Sequence, residues 1–191
     1  MKALKYIFIT ALAISAFSCR ANSPAAESTE NTDASIQWLT FEEAVQKVNS
    51  DKNPKNILID FYTDWCGWCK VMDKKTYTDP HVIKLINKYF YPVKFDAETK
   101  ETIHFMGQDF GFVKHGRTGY NQLAAEFLQG QLSYPTTLFL NPKFQIITPI
   151  AGFVKPEELE PILNFLGQNL YLNDTSGKAW EQYKNNYKRG Q

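Results

Sequence analysis

Asn56-Ile57-Leu58-Ile59-Asp60-Phe61-Tyr62-Thr63-Asp64-Trp65-Cys66-Gly67-Trp68-Cys69-Lys70 is the stretch that decides how this chain folds. Its first seven residues form a nearly continuous β-branched and aromatic run, the pattern of a strand buried on both faces of a parallel sheet. Two cysteines at i and i+3 follow directly, so their chemistry sits at the carboxyl end of that strand. The spacing predicts a helix from about Cys66 to Lys75, with Cys66 in its first turn, facing unpaired backbone N–H groups and the positive end of the helix dipole. That placement favours a thiolate. A free thiol with a pKa of about 8.5 is roughly 10% ionised at pH 7.5, and one lowered to about 7 is roughly 75% ionised. The difference is about 2 kcal/mol, more than the roughly 0.3–1 kcal/mol a helix terminus typically supplies. Cys69 S–H, one turn on, and the charge of Lys70 are placed to add the rest. After Cys66 attacks a disulfide, Cys69 can resolve the mixed disulfide.

Two blander readings compete. A CxxC pair is half of a structural zinc site, which needs two further ligands; only His81, His104 and His115 remain, at no regular spacing. A purely structural disulfide between i and i+3 closes too short a loop to stabilise much. The third cysteine, Cys19, lies in a processing segment, so no disulfide framework is available.

The run from Asp60 to Lys70 resembles the strand-to-helix active site of the thioredoxin family, with Trp65, Gly67, Trp68 and Lys70 as motif flanks. Trp68 stands where plain thioredoxins carry Pro and disulfide isomerases carry His. The resemblance implies an α/β thioredoxin-like fold, a central mixed sheet flanked by helices. It implies that Asp60 is the buried carboxylate that takes the Cys69 proton, the alternative being a strand-end Asp that only bonds locally. It also implies that Tyr134-Pro135 carries the family's cis-proline, which lies against the CxxC and forms part of the substrate groove, where the backbone before Pro135 can pair with an extended client. Trp65 is expected to cover the thiol pair and Trp68 to be exposed toward substrate.

The whole chain has 191 residues, 43% apolar and 15% aromatic, which suits one domain with tails. Its net charge of +1, from 21 basic and 20 acidic residues without a basic stripe, argues against nucleic acid as a partner. Residues 1–18 read as an export signal, with Lys2 and Lys5 ahead of an apolar segment too short to span a membrane. Ala16-Phe17-Ser18-Cys19 resembles a bacterial lipoprotein cleavage site, which makes Cys19 the lipid-bearing first residue and the membrane a partner; simple secretion is the alternative. Residues 19–35 read as a flexible tether.

The domain is expected over 36–170. Ile36 to Asn49 reads as a helix presenting Trp38, Phe41, Ala44, Val45 and Val48, with Thr40 and Glu43 as a capping box. Asp79-Pro80 opens another helix and Tyr91 to Asp96 a strand, giving a right-handed βαβ unit. Residues 97–133 are an insertion holding a Gly-punctuated stretch and a helix at 121–129, either shaping the substrate groove or tolerated decoration. Residues 134–151 read as a hairpin, Pro156 opens the last core helix, and the tail 171–191 is helical through Trp180, Tyr183 and Tyr187.

No cofactor and no metal is called for. The function expected is a thiol:disulfide oxidoreductase of the bacterial envelope, acting on exported proteins with disulfides or thiols and exchanging electrons with an upstream thiol partner. The competing class is a thioredoxin-fold chaperone or client-binding module without redox turnover. A peroxide-reducing enzyme is disfavoured, because no isolated Cys sits beside Thr and Arg.

Overall fold

The computed structural model describes residues 35–174 and 176–190. The export segment 1–18, Cys19 and all but the last residue of the tether lie outside them. Strand β1 (Asn56–Tyr62) is central, as its two-sided apolar character requires. Helices α2 (Gly67–Lys75) and α3 (Pro80–Tyr89) follow it and return the chain to β2 (Phe90–Asp96), which pairs parallel with β1. The hairpin β7 (Thr136–Leu140) and β8 (Ile146–Ala151) adds on the other side, antiparallel to β1, giving the order β2-β1-β7-β8. Alternate residues of β1 feed two cores. Ile57, Ile59 and Phe61 pack with α1 (Phe41–Ser50) and α4 (Gln122–Phe127) on one face. Leu58 packs with Met72 of α2, with α3, and with α5 (Pro156–Gly167) on the other.

The ends of these elements follow from side chains that satisfy orphan backbone groups. Thr40 accepts from Glu43 N, and the Glu43 carboxylate accepts from Thr40 N at 2.8 Å, so α1 starts at Phe41. Trp38 is therefore ahead of the helix, not on its face as its spacing suggested. It lies in an extended segment bridged to β2 through Leu39 and Val93, and its ring meets Tyr77 edge-on in the second core. Asp79 caps α3 through the N–H groups of His81 and Val82, with Pro80 at the first helical position.

The insertion holds its helix, α4, and also two hairpins that the Gly-punctuated sequence did not reveal. These are β3 (Ile103–Phe105) with β4 (Gln108–Phe110), and β5 (Phe112–His115) with β6 (Thr118–Asn121). Positive φ at Met106 (50°) and Gly107 (77°) makes the first a two-residue hairpin turn with both central residues left-handed. Phe105 anchors this hairpin in the first core, its ring 5.0 Å from Phe41 and 5.1 Å from Phe144. Buried Asn121 ties the pieces together, donating to Glu101 O and Phe110 O and capping Leu123 N.

The tail forms α6 (Ala179–Asn186), which lays Trp180 and Tyr183 on Phe165 of α5. Beyond it, Tyr187 Oη donates to Glu160 at 2.9 Å and Arg189 Nε lies 2.9 Å from the same buried carboxylate. Among the described residues no helix is long and apolar enough to cross a membrane.

Candidate active site

Cys66 stands at the N-cap of α2, which begins one residue later than the spacing suggested. The turn into it is closed by Cys66 N donating to Thr63 O at 3.1 Å. Its sulfur takes the place an Asp or Ser oxygen usually fills, accepting from Cys69 N at 3.1 Å. The first turn of α2 contains no acidic side chain, so no carboxylate competes for its N–H groups. Cys66 and Cys69 form a disulfide with Cα atoms 5.3 Å apart, and both are buried.

The registers of β1 build the surroundings of Asp60. Lys94 is its neighbour on β2 and Thr137 its neighbour on β7, and neighbours in register share a face of the sheet. Lys94 Nζ lies 2.5 Å from Asp60 Oδ2 and also pairs with Asp73 of α2. Asp73 is four residues after Cys69, on the same side of the helix, so one ammonium links the strand carboxylate to the helix that carries the cysteines. The rings of Tyr62, Trp38 and Tyr77 surround that ammonium at 5.0, 5.3 and 5.4 Å. Asp60 Oδ1 is buried and has no hydrogen-bond partner among the described residues.

Burial pushes the Asp60 carboxyl up from its ordinary range, and Lys94 only partly offsets it. Burial opposes the charge on Lys94, but Asp60 and Asp73 prevail and its ammonium is held more firmly than usual. The Tyr77 phenol, 3.2 Å from Thr137 Oγ1, is raised well above its ordinary value by burial and then by Asp60. Lys94, Asp73 and Tyr77 were missed from sequence. Lys70, the cation the motif offered, is exposed on the helix surface.

Two aromatic pairs frame the disulfide. Trp65, expected to cover it, is 65% exposed and meets Tyr134 edge-on at 6.1 Å. Trp68 is 62% exposed and lies 5.7 Å from Phe153, just past β8. The Tyr134–Pro135 peptide is cis, and Pro135 O accepts from Gly152 N at 2.7 Å. Through the Trp65–Tyr134 ring pair the proline loop meets the residue that precedes Cys66. Gly67 is exposed, with open space where a Cβ would project. Among the described residues no group of three or more His, Cys, Asp or Glu is arranged to hold a metal ion.

Comparison with known proteins agrees with this architecture. An uncharacterised protein of Caenorhabditis elegans is 25% identical over 133 residues, covering 68% of this chain and 16% of that protein. The thiol:disulfide interchange protein DsbD of Photorhabdus laumondii is 37% identical over 38 residues, 20% of this chain and 7% of that protein. The chain thus spans only a small part of either curated relative. Among solved structures, a thioredoxin-fold protein from Helicobacter pylori matches with a TM-score of 0.53 at 17% identity, covering 76% of this chain and 98% of that one. A thioredoxin from Thermus thermophilus matches with a TM-score of 0.50 at 20% identity, covering 69% and 87%. These two establish the fold. The family model Thioredox_DsbH, described as a protein of unknown function (DUF255), matches residues 20–170 and so takes in the sheet, the cysteine pair and the cis-proline loop; the chain belongs to this thioredoxin-like family.

Proposed function

We propose that this protein is a thiol:disulfide oxidoreductase of the bacterial cell envelope that reduces or exchanges disulfides in exported clients. The observation that carries the reading is the Cys66–Cys69 disulfide at the N-terminus of α2, flanked by exposed tryptophans and the Tyr134–Pro135 loop. In the reduced protein the Cys66 thiolate attacks one client sulfur, and the client S–S bond breaks with its second sulfur leaving as a thiolate. Cys69 then loses its proton to Asp60, whose burial makes its carboxylate a better proton acceptor than an exposed one. The Cys69 thiolate attacks Cys66 Sγ, closing the protein disulfide and releasing the client as a dithiol. Two electrons pass from protein to client, and an upstream thiol donor restores the pair. In this scheme the backbone before Pro135 pairs with the client as an added strand.

The export signal over 1–18, with Cys19 as a lipidated first residue and the tether beyond it, would hold the domain at an envelope membrane; the match to a DsbD segment supports an envelope setting. The test is trapping in an envelope extract. Cys69→Ser should accumulate mixed disulfides with clients and Cys66→Ser should not. Equal trapping by both variants, or trapping by neither, contradicts the assignment.

A further inference from the structure

A groove of about 410 Å³ is lined by Trp65, the residue before Cys66, together with Tyr134, Tyr120 of β6 and Leu132. It exists because of the insertion, since Tyr120 and Leu132 both lie within 97–133. Its polar lining includes Glu98 and His115, and among the described residues no lysine or arginine lines it.

The charges that act on its Tyr134 wall are carboxylates, while Lys114 and Arg117 lie on the hairpin that supplies His115 and Thr118. Asp96 lies next to Glu98, whose N–H donates to Asp96 Oδ1 at 3.0 Å, and Asp64 precedes Trp65. The three carboxylates feel one another: burial and then Asp64 and Glu98 push the Asp96 carboxyl up. The Tyr134 phenol is pushed up to about 12, by burial and then by Glu98 and Asp96.

The chemistry of these walls selects among occupants. An acidic side chain entering the groove would face the Glu98 carboxylate, with Asp96 next to it. A purely apolar one would fill the aromatic walls and strip water from Glu98 without offering it a partner. A guanidinium or ammonium on an apolar stem does neither, because it lies against ring faces and pairs with the carboxylate.

We infer that this groove is a specificity pocket for an arginine or lysine side chain of the client, carried within about three residues of the client's reactive cysteine. The reach follows from the position of Trp65, adjacent to Cys66, and from a rise of about 3.3 Å per residue in an extended chain. The inference rests on the proposed oxidoreductase reading and adds to it a substrate class, namely disulfides flanked by basic residues.

The test separates the two. Peptides in which Ser replaces the client Cys bind without redox turnover. Three are made, with Arg, uncharged citrulline or Glu three residues from the Ser, and titrated calorimetrically into the oxidised full chain. The Arg peptide should bind about tenfold more tightly than the citrulline peptide, with the Glu peptide weakest. Glu98→Gln should cut the Arg-over-citrulline ratio to below about twofold, and Glu98→Lys should turn the preference toward the Glu peptide. Equal affinity for the Arg and citrulline peptides, no binding by any of them, or a preference unchanged in both variants would overturn the pocket. A lost preference with Cys69→Ser trapping intact removes the pocket and leaves the redox function. Lost trapping with the preference intact does the reverse.

Discussion

Replacing Lys94 with Met keeps most of the aliphatic stem and deletes the charge that links Asp60 to Asp73. At the observed 2.5 Å, the attraction between Lys94 and Asp60 is about 7 kcal/mol for an effective dielectric constant of 20. That exceeds the cost of the alternative open to Asp60, which is to take up a proton. Protonating at pH 7 a carboxyl whose unfolded pKa is about 3.9 costs about 4 kcal/mol, so the carboxyl neutralises and this figure caps the loss of stability. The wild-type carboxyl, already raised by burial, carries part of this cost in the native protein. A loss of about 2 kcal/mol at pH 7 is therefore expected for Lys94→Met. The sign with pH is fixed: a folded-state pKa raised further above the unfolded value costs nothing below that value, and the cost grows as pH rises above it. At pH 4.5 the cap falls to about 0.8 kcal/mol. Urea unfolding of the oxidised variant and parent at both pH values measures the difference. A loss that is the same at pH 4.5 and 7, or larger at pH 4.5, refutes the claim that Lys94 acts through the charge of Asp60.

Asp60→Asn removes a buried charge with an unpartnered oxygen. It should stabilise the oxidised protein at pH 7, with the gain fading as pH falls through the unfolded carboxyl's ordinary range, below which folded and unfolded chains bind the proton alike. The same variant should slow release of the client from Cys66 in stopped-flow exchange while leaving mixed-disulfide formation nearly unchanged; if neither step moves, Asp60 is not the base. Tyr187→Phe deletes the hydrogen bond to buried Glu160 and should lower Tm by about 2–4 °C, for a loss of about 1 kcal/mol, without altering exchange rates; an unchanged Tm would mean the tail adds nothing through this bond. Mass spectrometry of the mature N-terminus should find a lipid-modified Cys19, and an unmodified terminus at or beyond Cys19 would mean export without an anchor.

What could be read from the sequence was what is local. The run from Asn56 to Tyr62 is apolar on both faces, so its central place in the sheet follows from composition alone, and the cysteine spacing announces its chemistry within four residues. The caps at Thr40 and Asp79 are equally local, because each side chain bonds a backbone N–H two or three residues on. Lys94 was not legible. Its partnership with Asp60 depends on the parallel register of β1 and β2, 34 positions apart, and nothing in Pro92-Val93-Lys94-Phe95 distinguishes this lysine from a solvated one. Trp38 fitted a helical spacing, and only the capping box, read as a stop as well as a start, would have excluded it. The insertion hairpins have strands of three or four residues, too short for alternation to emerge, and Met106-Gly107 is not one of the usual hairpin dipeptides. The exposure of Trp65 depends on how Tyr134 meets it across the site, a contact spanning 69 positions of the chain.

The measurement that bears most directly on the account is the reduction potential of the Cys66–Cys69 pair, taken by equilibrating the full chain with glutathione and dithiothreitol buffers and counting free thiols. A reductant of client disulfides should show a two-electron transition at about −270 mV, the thioredoxin end of the scale. A potential near −120 mV would make the protein an oxidant of its clients, and a pair that never equilibrates with either buffer would contradict the thiol-exchange account altogether.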